Sequence, residues 1–318
     1  MTGAMGLVTR FRAATAALAI GAAAGAAALL TPQPSVASGV QSSPVAVAPP
    51  AFRRLNEAQY LRAVEQVFGP GITVPGRFDP PRREEGLLAI GDAHVTVTPT
   101  GIEQFELRAR RIAAQVFAEK RAKLPCEPGA GFDAVCARAF FARHGRLLYR
   151  RPLSDAELAS LSGLAERVAG QGGGLAKGLE VGLSRLLLSP HFIFRVERSV
   201  ADPAAPGGSR LDDWSLASRI SFLLWNAPPD EALLDAVARG AMADPAARRR
   251  EVDRLIASPR FEEGVRAFFF DMFGYEQFAG LAKDQKIYPK FTTELARDAQ
   301  EQTLRTLVDL LVRSGADY

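Results

Sequence analysis

Apolar residues recur three and four positions apart along most of the chain after residue 51, which is the periodicity of amphipathic helices. In the first such segment Tyr60, Val64 and Phe68 share one helical face, and Gly69 ends the pattern. Residues 95–98, with the sequence VTVT, form the only strand-like run that we identify. Some ten helices and almost no strand are predicted. We therefore expect a mainly α fold, built as a multi-helix array.

Several of these helices have recognisable start signals, in which a side chain accepts a hydrogen bond from a free backbone amide. Ser154 and Glu157 have the spacing of a capping box. Asp244 precedes Pro245, a residue that suits the first helical position. Further predicted helix starts lie at Asn56, at Asp212 with Asp213, and at Asp230 with Glu231.

Residues 1–37 have the features of an export signal. Two arginines precede residue 13, an uncharged run covers residues 13–30, and small residues at 35–37 suit a signal peptidase. The run consists mostly of Ala and Gly, which contribute little to membrane insertion. A cleaved Sec-type signal is therefore favoured over an N-terminal membrane anchor. Residues 38–50 are uncharged and have the composition of a flexible linker.

Three helical domains are expected after the linker: an N-terminal domain over residues 51–125, a disulfide-clasped domain over 126–200, and a C-terminal domain over 201–318. The last predicted helix is followed directly by the loop-like residues 314–318. We expect the C-terminal domain to be truncated there, as part of a longer protein.

The two cysteines of the chain, Cys126 and Cys136, flank a loop that contains Gly and Pro. In an exported protein this spacing favours a disulfide that closes the loop. A metal site would need further ligands, and a redox pair would need the closer Cys-x-x-Cys spacing. Neither occurs in the sequence.

The composition excludes several classes of protein. The chain has 318 residues, of which 47% are apolar and 23% are charged, as in ordinary globular proteins. Its formal net charge is +4, and two of these charges lie in the leader, at Arg10 and Arg12. A nearly neutral mature chain gives no reason to expect a nucleic-acid partner. Three histidines leave little material for a histidine-built metal site.

Four stretches of sequence together resemble one protein family. They are RRLNEAQY at residues 53–60; the segment from Cys136 to YRRPL at 149–153; LLLSPHFIFR at 186–195; and LDDW at 211–214, continued by RISFLLW at 219–225 and PPD at 228–230. In this order they resemble the exported proteins of planctomycetes and myxobacteria that consist of consecutive domains of unknown function, the planctomycete surface domain series. The resemblance covers most of residues 52–318.

The resemblance implies an exported, multi-domain protein without an established activity. Many members of the family also carry a c-type cytochrome module, which is recognised by Cys-x-x-Cys-His. This chain has no such motif. We therefore expect no cofactor within the chain, and haem only on a missing module or on a partner.

Candidate catalytic residues are few. His191 follows a predicted helix end and has the chemistry of an axial ligand or a general base. Glu197, Asp213 and Asp230 are the acidic candidates for an acid/base pair. For all four a structural role is the simpler interpretation, because His191 lies between aromatic residues and most of the acids mark helix starts. His94 and His144 are interpreted as surface or structural residues.

Other residues of the family-like stretches are interpreted as structural. Arg151 and Arg195 have the chemistry to pair with the acidic candidates across helix junctions, but a buried structural ion pair, or Arg219 paired with Asp230 or Asp213, is the expected outcome. Trp214, Trp225 and the phenylalanines of residues 261–273 have helical spacing, which favours core packing over a carbohydrate platform. The remaining motif positions are Pro152, Ser189 and Pro190.

Three functions are compatible with these features, and the sequence does not decide whether the chain is an enzyme. The first is a non-catalytic helical module in cell-surface or periplasmic assembly, with proteins of that compartment as partners. The second is a component of an exported oxidoreductase system with a c-type cytochrome partner. The third is a hydrolase that acts on surface polymers. In each case the protein would be periplasmic, cell-surface or secreted.

Overall fold

The computed structural model describes residues 52–94, 97–126 and 131–314, apart from the side chains of residues 89, 90 and 279. This part of the chain is 64% helix and 6% strand, with ten helices of eight or more residues. The prediction of a mainly α fold is confirmed. The predicted leader and linker at residues 1–50 lie outside the described residues, as do Val95 and Thr96 of the predicted strand.

Twelve α-helical segments follow one another in the described residues. They are α1 (Glu57–Phe68), α2 (Leu88–Gly91), α3 (Pro99–Ala118), α4 (Ala134–Tyr149), α5 (Asp155–Val168), α6 (Gly174–Leu187), α7 (Pro190–Ile193), α8 (Asp213–Trp225), α9 (Glu231–Ala238), α10 (Pro245–Ala257), α11 (Phe261–Met272) and α12 (Thr293–Val308). Single turns of tighter or wider helix occupy Asp92–His94, Ala169–Gly173, Tyr275–Gly280 and Asp309–Ser314.

The predicted helix starts are confirmed. Asn56 Oδ1 accepts a hydrogen bond from the Gln59 amide at 2.9 Å, and the Gln59 side chain returns to the Asn56 amide. Ser154 and Glu157 form the reciprocal capping box, with distances of 3.2 and 2.7 Å. The other side chains that cap helices as predicted are Asp212, Asp230 and Asp244.

Four short strands form two antiparallel pairs. Strand β1 (Phe52–Arg54) pairs with β2 (Phe194–Val196), and β3 (Ser199–Ala201) pairs with β4 (Ser209–Leu211). The strand expected at residues 95–98 is wrong for Thr98, which caps α3 by accepting a hydrogen bond from the Gly101 amide at 3.0 Å. A hydroxyl at a helix start accepts a hydrogen bond from a free backbone amide, and this interaction outweighs the β-propensity of the VTVT run.

Cys126 and Cys136 form a disulfide, as the sequence predicts. The bond ties the segment after α3 to the first turn of α4, where Cys136 is buried. A cross-link over so short a loop stabilises by about 3 kcal/mol in the chain-entropy model.

The apolar residues of the described chain form three clusters. The largest combines α1 and α3 to α7, and its fully buried side chains include Tyr60, Phe140, Phe141 and Phe192. A second cluster surrounds Trp225 between α8, α9 and α10. The third joins α11 to α12.

All described residues lie within one compact unit of the chain. The largest cluster draws side chains both from the segment expected as the N-terminal domain and from the segment expected as the disulfide-clasped domain. The division into three domains stays a prediction.

Candidate functional site

A cleft of about 670 Å³ opens between α1, α8 and α11, and the segment around residues 81–92 closes one side. Apolar side chains from all three helices line it, among them Leu61, Phe222, Leu223 and Phe268. Leu223 is 62% exposed and Phe268 is 54% exposed. The volume lies in the range of typical ligand sites, and the lining mixes apolar surface with a few polar groups, as such sites do.

Specific hydrogen bonds hold α1 against the C-terminal end of α8. Gln59 Nε2 donates to Asn226 Oδ1 at 2.8 Å, and Gln66 Nε2 donates to the Pro229 carbonyl at 2.7 Å. Asn226 has a left-handed backbone (φ 49°) and ends α8, a conformation that asparagine tolerates better than most residues. Arg62 of α1 also forms an ion pair with Glu263 of α11. The three walls of the cleft are thus joined by side chains far apart in sequence.

Most carboxylates of the cleft are paired with arginines. Arg83 bonds Glu276 bidentately and lies 2.6 Å from Asp271. Its hydrogen bonds lower the pKa of Glu276. With Glu263 held by Arg62, three carboxyl groups of the cleft form ion pairs with arginines.

Two charged side chains in the cleft have weaker attachments. Asp92 accepts a hydrogen bond from the Arg82 amide at 3.3 Å, and burial raises the pKa of its carboxyl group. Arg195 stacks its guanidinium over the Phe222 ring at 5.0 Å, and its buried Nε has no hydrogen-bond partner among the described residues. Burial, reinforced by the nearby charge of Arg53, lowers the pKa of Arg195 to about 10.

The predicted candidate His191 lies outside this cleft, at the start of α7. Its ring packs against Tyr149 at 5.1 Å, and its Nε2 lies 3.7 Å from Glu157 Oε1. Burial, followed by the charge of Arg151, lowers the pKa of His191. The histidine is therefore neutral at physiological pH and packs at a helix junction.

The three acidic candidates are each held by a different arginine. Glu197 is buried and pairs bidentately with Arg219 at 2.9 and 2.5 Å. The expected pairing of Arg219 with Asp230 or Asp213 is therefore wrong. Arg254 bonds Asp230 at 2.9 and 3.1 Å, and Arg210 bonds Asp213 at 2.8 Å. The physical reason is that Arg210 and Arg254 already occupy the two aspartates, whereas Glu197 follows β2 and lies against α8, the helix that carries Arg219. None of these four candidates lines the cleft.

Arg195 forms no ion pair within the described residues, and Arg151 pairs with Glu157 rather than with one of the acidic candidates. Its guanidinium bonds both carboxylate oxygens of Glu157, at 2.9 and 2.8 Å, and also the Pro152 carbonyl at 2.9 Å. These bonds, together with the amide of Ser154, lower the pKa of Glu157 to about 2.

The Glu157→Gln substitution is expected to make the free energy of unfolding depend less on pH in the acidic range. Since the folded-state pKa lies below the ordinary value of 4.5, the Glu157 carboxylate stabilises the fold fully above that value and loses this effect as the pH falls towards 2. Glutamine retains an acceptor for the capping box but carries no charge. At pH 7 the variant should be less stable by about 2 kcal/mol, and near pH 2 the difference should vanish. Urea unfolding at a series of pH values measures both.

Asp155→Asn is the matched control on the same helix turn. The Asp155 side chain is 93% exposed, and its pair with Arg138 is open to solvent. This variant should differ from the parent by less than about 0.5 kcal/mol at any pH. Equal stability of the Glu157 variant and the parent at pH 7 would show that Arg151 gains nothing from its partner's charge.

The other motif residues act at helix ends. Ser189 caps α7 by accepting a hydrogen bond from the His191 amide at 3.2 Å, and Pro190 occupies the first helical position. Trp225 is buried, and its Nε1 donates to the Leu255 carbonyl at 2.8 Å, so this ring belongs to the core. His144 is also buried, with Nδ1 at 3.0 Å from the Phe140 carbonyl. His94, in contrast, is largely exposed.

The phenylalanines of residues 261–273 divide between core and surface. Phe269 is buried, whereas Phe268 and Phe273 are exposed. Core packing was expected for the whole group. It fails for Phe268 because helix α11 presents one face to α12 and another to the cleft, and Phe273 lies directly after the end of α11.

Sequence reasoning did not identify the residues of the cleft. Leu223 lies in the RISFLLW stretch and Phe268 among the phenylalanines interpreted as core, but neither pattern indicates a cleft, and no motif marks Asp92. The one usable signal is that Leu223 and Phe268 are apolar at helical positions next to core residues. In the part of the chain that the structure describes, no three His, Cys, Asp or Glu side chains are grouped to hold a metal ion. Nor is any described helix both long enough and apolar enough to cross a membrane.

Two family models match the chain. Residues 136–197 match PSD5, described as a protein of unknown function (DUF1595), and residues 211–318 match PSD4, described as a protein of unknown function (DUF1592). No curated protein and no solved structure matches it. Surface-domain families and a disulfide together indicate an extracytoplasmic protein. The chain belongs to the planctomycete surface domain proteins, with a PSD5 domain followed by a PSD4 domain.

Proposed function

We propose that this chain is a non-catalytic binding module of cell-surface or periplasmic assembly, exported by the leader predicted at residues 1–37. Its binding site is the cleft between α1, α8 and α11, which holds an apolar segment of a partner protein. The observation that carries this proposal is the exposure of Leu223 and Phe268 on two different walls of one cleft.

Exposed apolar side chains that converge in a concave site favour binding over a purely structural role. Single exposed apolar residues are common on protein surfaces and need no explanation. Here Leu61, Leu223 and Phe268 belong to three different helices and line the same cleft, and Met272 continues the apolar surface along α11. Apolar surface gathered in this way and rimmed by charge is typical of an interaction site.

The charge arrangement favours binding over hydrolysis. A glycosidase-type site requires two carboxyl groups free to exchange protons. In this cleft Glu263, Asp271 and Glu276 are each engaged in an ion pair with an arginine. Burial raises the pKa of Asp92 and the charge of Asp271 adds to this effect, but Asp271 is itself paired with Arg83. The hydrolase hypothesis therefore ranks behind the binding module.

Site-specific photo-crosslinking tests this function. A benzophenone amino acid is placed at Leu223 in the full chain, which is expressed in its own cells and irradiated. We expect one discrete covalent adduct with another protein, which mass spectrometry identifies. Adding Phe268→Asp in the same chain should abolish the adduct, because a charge on the opposite wall excludes an apolar segment.

The same photoreactive residue at Val135 provides the control. Val135 is 80% exposed on α4 and does not line the cleft. It should give no discrete adduct. Adducts of the same pattern from both positions, or none from Leu223, would overturn the proposed function.

A further inference from the structure

Arg195 is a charged side chain of the cleft whose guanidinium has no hydrogen-bond partner among the described residues. Within the described residues it makes no hydrogen bond, and no carboxylate oxygen lies within 4.0 Å of it. Asp92 and Glu197 attract it only from a greater distance. Glu197 is already engaged by Arg219. A guanidinium has five donors, so a partly buried one without an acceptor is a strong binding group for an anion.

The surroundings of Arg195 add to its positive potential. In the β1–β2 ladder it lies directly opposite Arg53. Arg150, also nearby, is buried and bonds only backbone carbonyls. Arg53 and Arg150 thus place two further cations near Arg195, while the charges of Glu197 and Asp92 act in the opposite direction.

The ring of Phe222 orients this cation. The guanidinium carbon lies 5.0 Å from the ring centroid, a distance at which a cation and a π-face attract each other. Phe222 itself is buried, so its position is fixed by packing. The Arg195 side chain is therefore ordered before binding, so less conformational entropy is lost when an anion binds.

We propose that Arg195 binds the C-terminal carboxylate of the partner, whose final residue is apolar and packs between Leu223 and Phe268. This inference rests on the proposed function and specifies its ligand. A single C-terminal residue supplies both groups: its carboxylate is a monovalent anion for Arg195, and its apolar side chain packs against Leu223 and Phe268. A phosphate fits less well, because it offers no apolar group to pack between Leu223 and Phe268.

Two fluorescent dyes with the same rings separate the two components of this site. 1-Anilinonaphthalene-8-sulfonate carries one negative charge, and N-phenyl-1-naphthylamine carries none. We expect the full chain to bind both dyes. Arg195→Gln should weaken binding of the anionic dye about tenfold or more and that of the neutral dye less than about twofold. Phe268→Ser should weaken both.

Peptide competitors identify the source of the anion. N-acetyl-Leu-Phe with a free carboxylate should displace the anionic dye, and its C-terminal amide should not. N-acetyl-Leu-Glu-Phe amide, which offers only a side-chain carboxylate, should also fail. Displacement by the glutamate peptide to the same degree would overturn the assignment to a chain end.

Two further variants guard against loss of the fold. Arg195→Lys retains the charge and should keep part of the affinity for the anionic dye. Arg249→Gln removes an arginine that is 77% exposed on α10 and should change nothing. If Arg195→Gln leaves binding of the anionic dye unchanged while Phe268→Ser weakens binding of both dyes, this inference is overturned and the proposed function is not. Dyes that bind independently of Phe268 overturn the proposed function as well.

Discussion

Replacement of Arg150 by alanine is expected to lower the free energy of unfolding by about 4 kcal/mol. The buried guanidinium donates to the carbonyls of Leu148, His191 and Phe194 at 3.0, 2.7 and 2.6 Å, and approaches that of Phe192 at 3.5 Å. It thereby ties the end of α4 to α7 and β2. Alanine leaves these acceptors without a donor and opens a cavity. Urea unfolding followed by far-ultraviolet circular dichroism measures the loss.

A conservative variant and an exposed one frame this experiment. Arg150→Lys keeps the charge but has no planar fork to reach several carbonyls, so it should lose an intermediate amount. Arg249→Ala removes an exposed arginine paired with Asp253 and should cost less than about 1 kcal/mol. If Arg150→Ala proved as stable as the parent, the hydrogen bonds of Arg150 would only offset the free energy needed to bury its charge.

Replacement of Gly264 by alanine is expected to destabilise the protein by about 3 kcal/mol. Gly264 lies in α11 at the point where this helix crosses α8. A Cβ atom there would fall well inside contact distance of the backbone carbonyls of Leu223 and Leu224. Backbone atoms cannot move aside as the end of a side chain can, so the two helices would have to separate. Thermal unfolding monitored by circular dichroism tests this.

Gly163→Ala is the matched control, with the same substitution in another helix. The nearest atom to a Cβ at this position is a terminal nitrogen of Arg167, at 3.6 Å. Because alanine is the better helix former, the variant should be more stable than the parent by up to about 1 kcal/mol. A Gly264→Ala protein with the same gain would show that α8 and α11 are not in direct backbone contact.

The Gly264 prediction also concerns the cleft. The close approach of α8 and α11 sets the distance between the walls that carry Leu223 and Phe268. Separation of the helices should therefore weaken binding of the neutral naphthylamine dye at temperatures where the variant is still folded. The stability and the binding of this variant thus report on one helix contact.

Local signals in the sequence predicted the helices well. Capping at Asn56, Ser154 and Asp212 depends on groups within three residues of each other, so the sequence contains all the participants. The disulfide between Cys126 and Cys136 is likewise local. Partners at longer range were not predictable in the same way. Arg219 was expected to bond an aspartate of a helix start, yet it bonds Glu197, because tertiary packing brings β2 against α8.

By itself the sequence determined the mainly α class, the helix starts, the disulfide and the family, since each depends on short segments or on their order along the chain. Only the tertiary structure decided where a ligand would bind. The cleft exists because α1 meets α8 and α11, more than 150 residues away, through bonds such as Gln59 to Asn226. Arg54, Arg108 and Arg150 are also buried, but they bond backbone carbonyls. Arg195 makes no hydrogen bond within the described residues, which leaves its donors for the ligand that we propose.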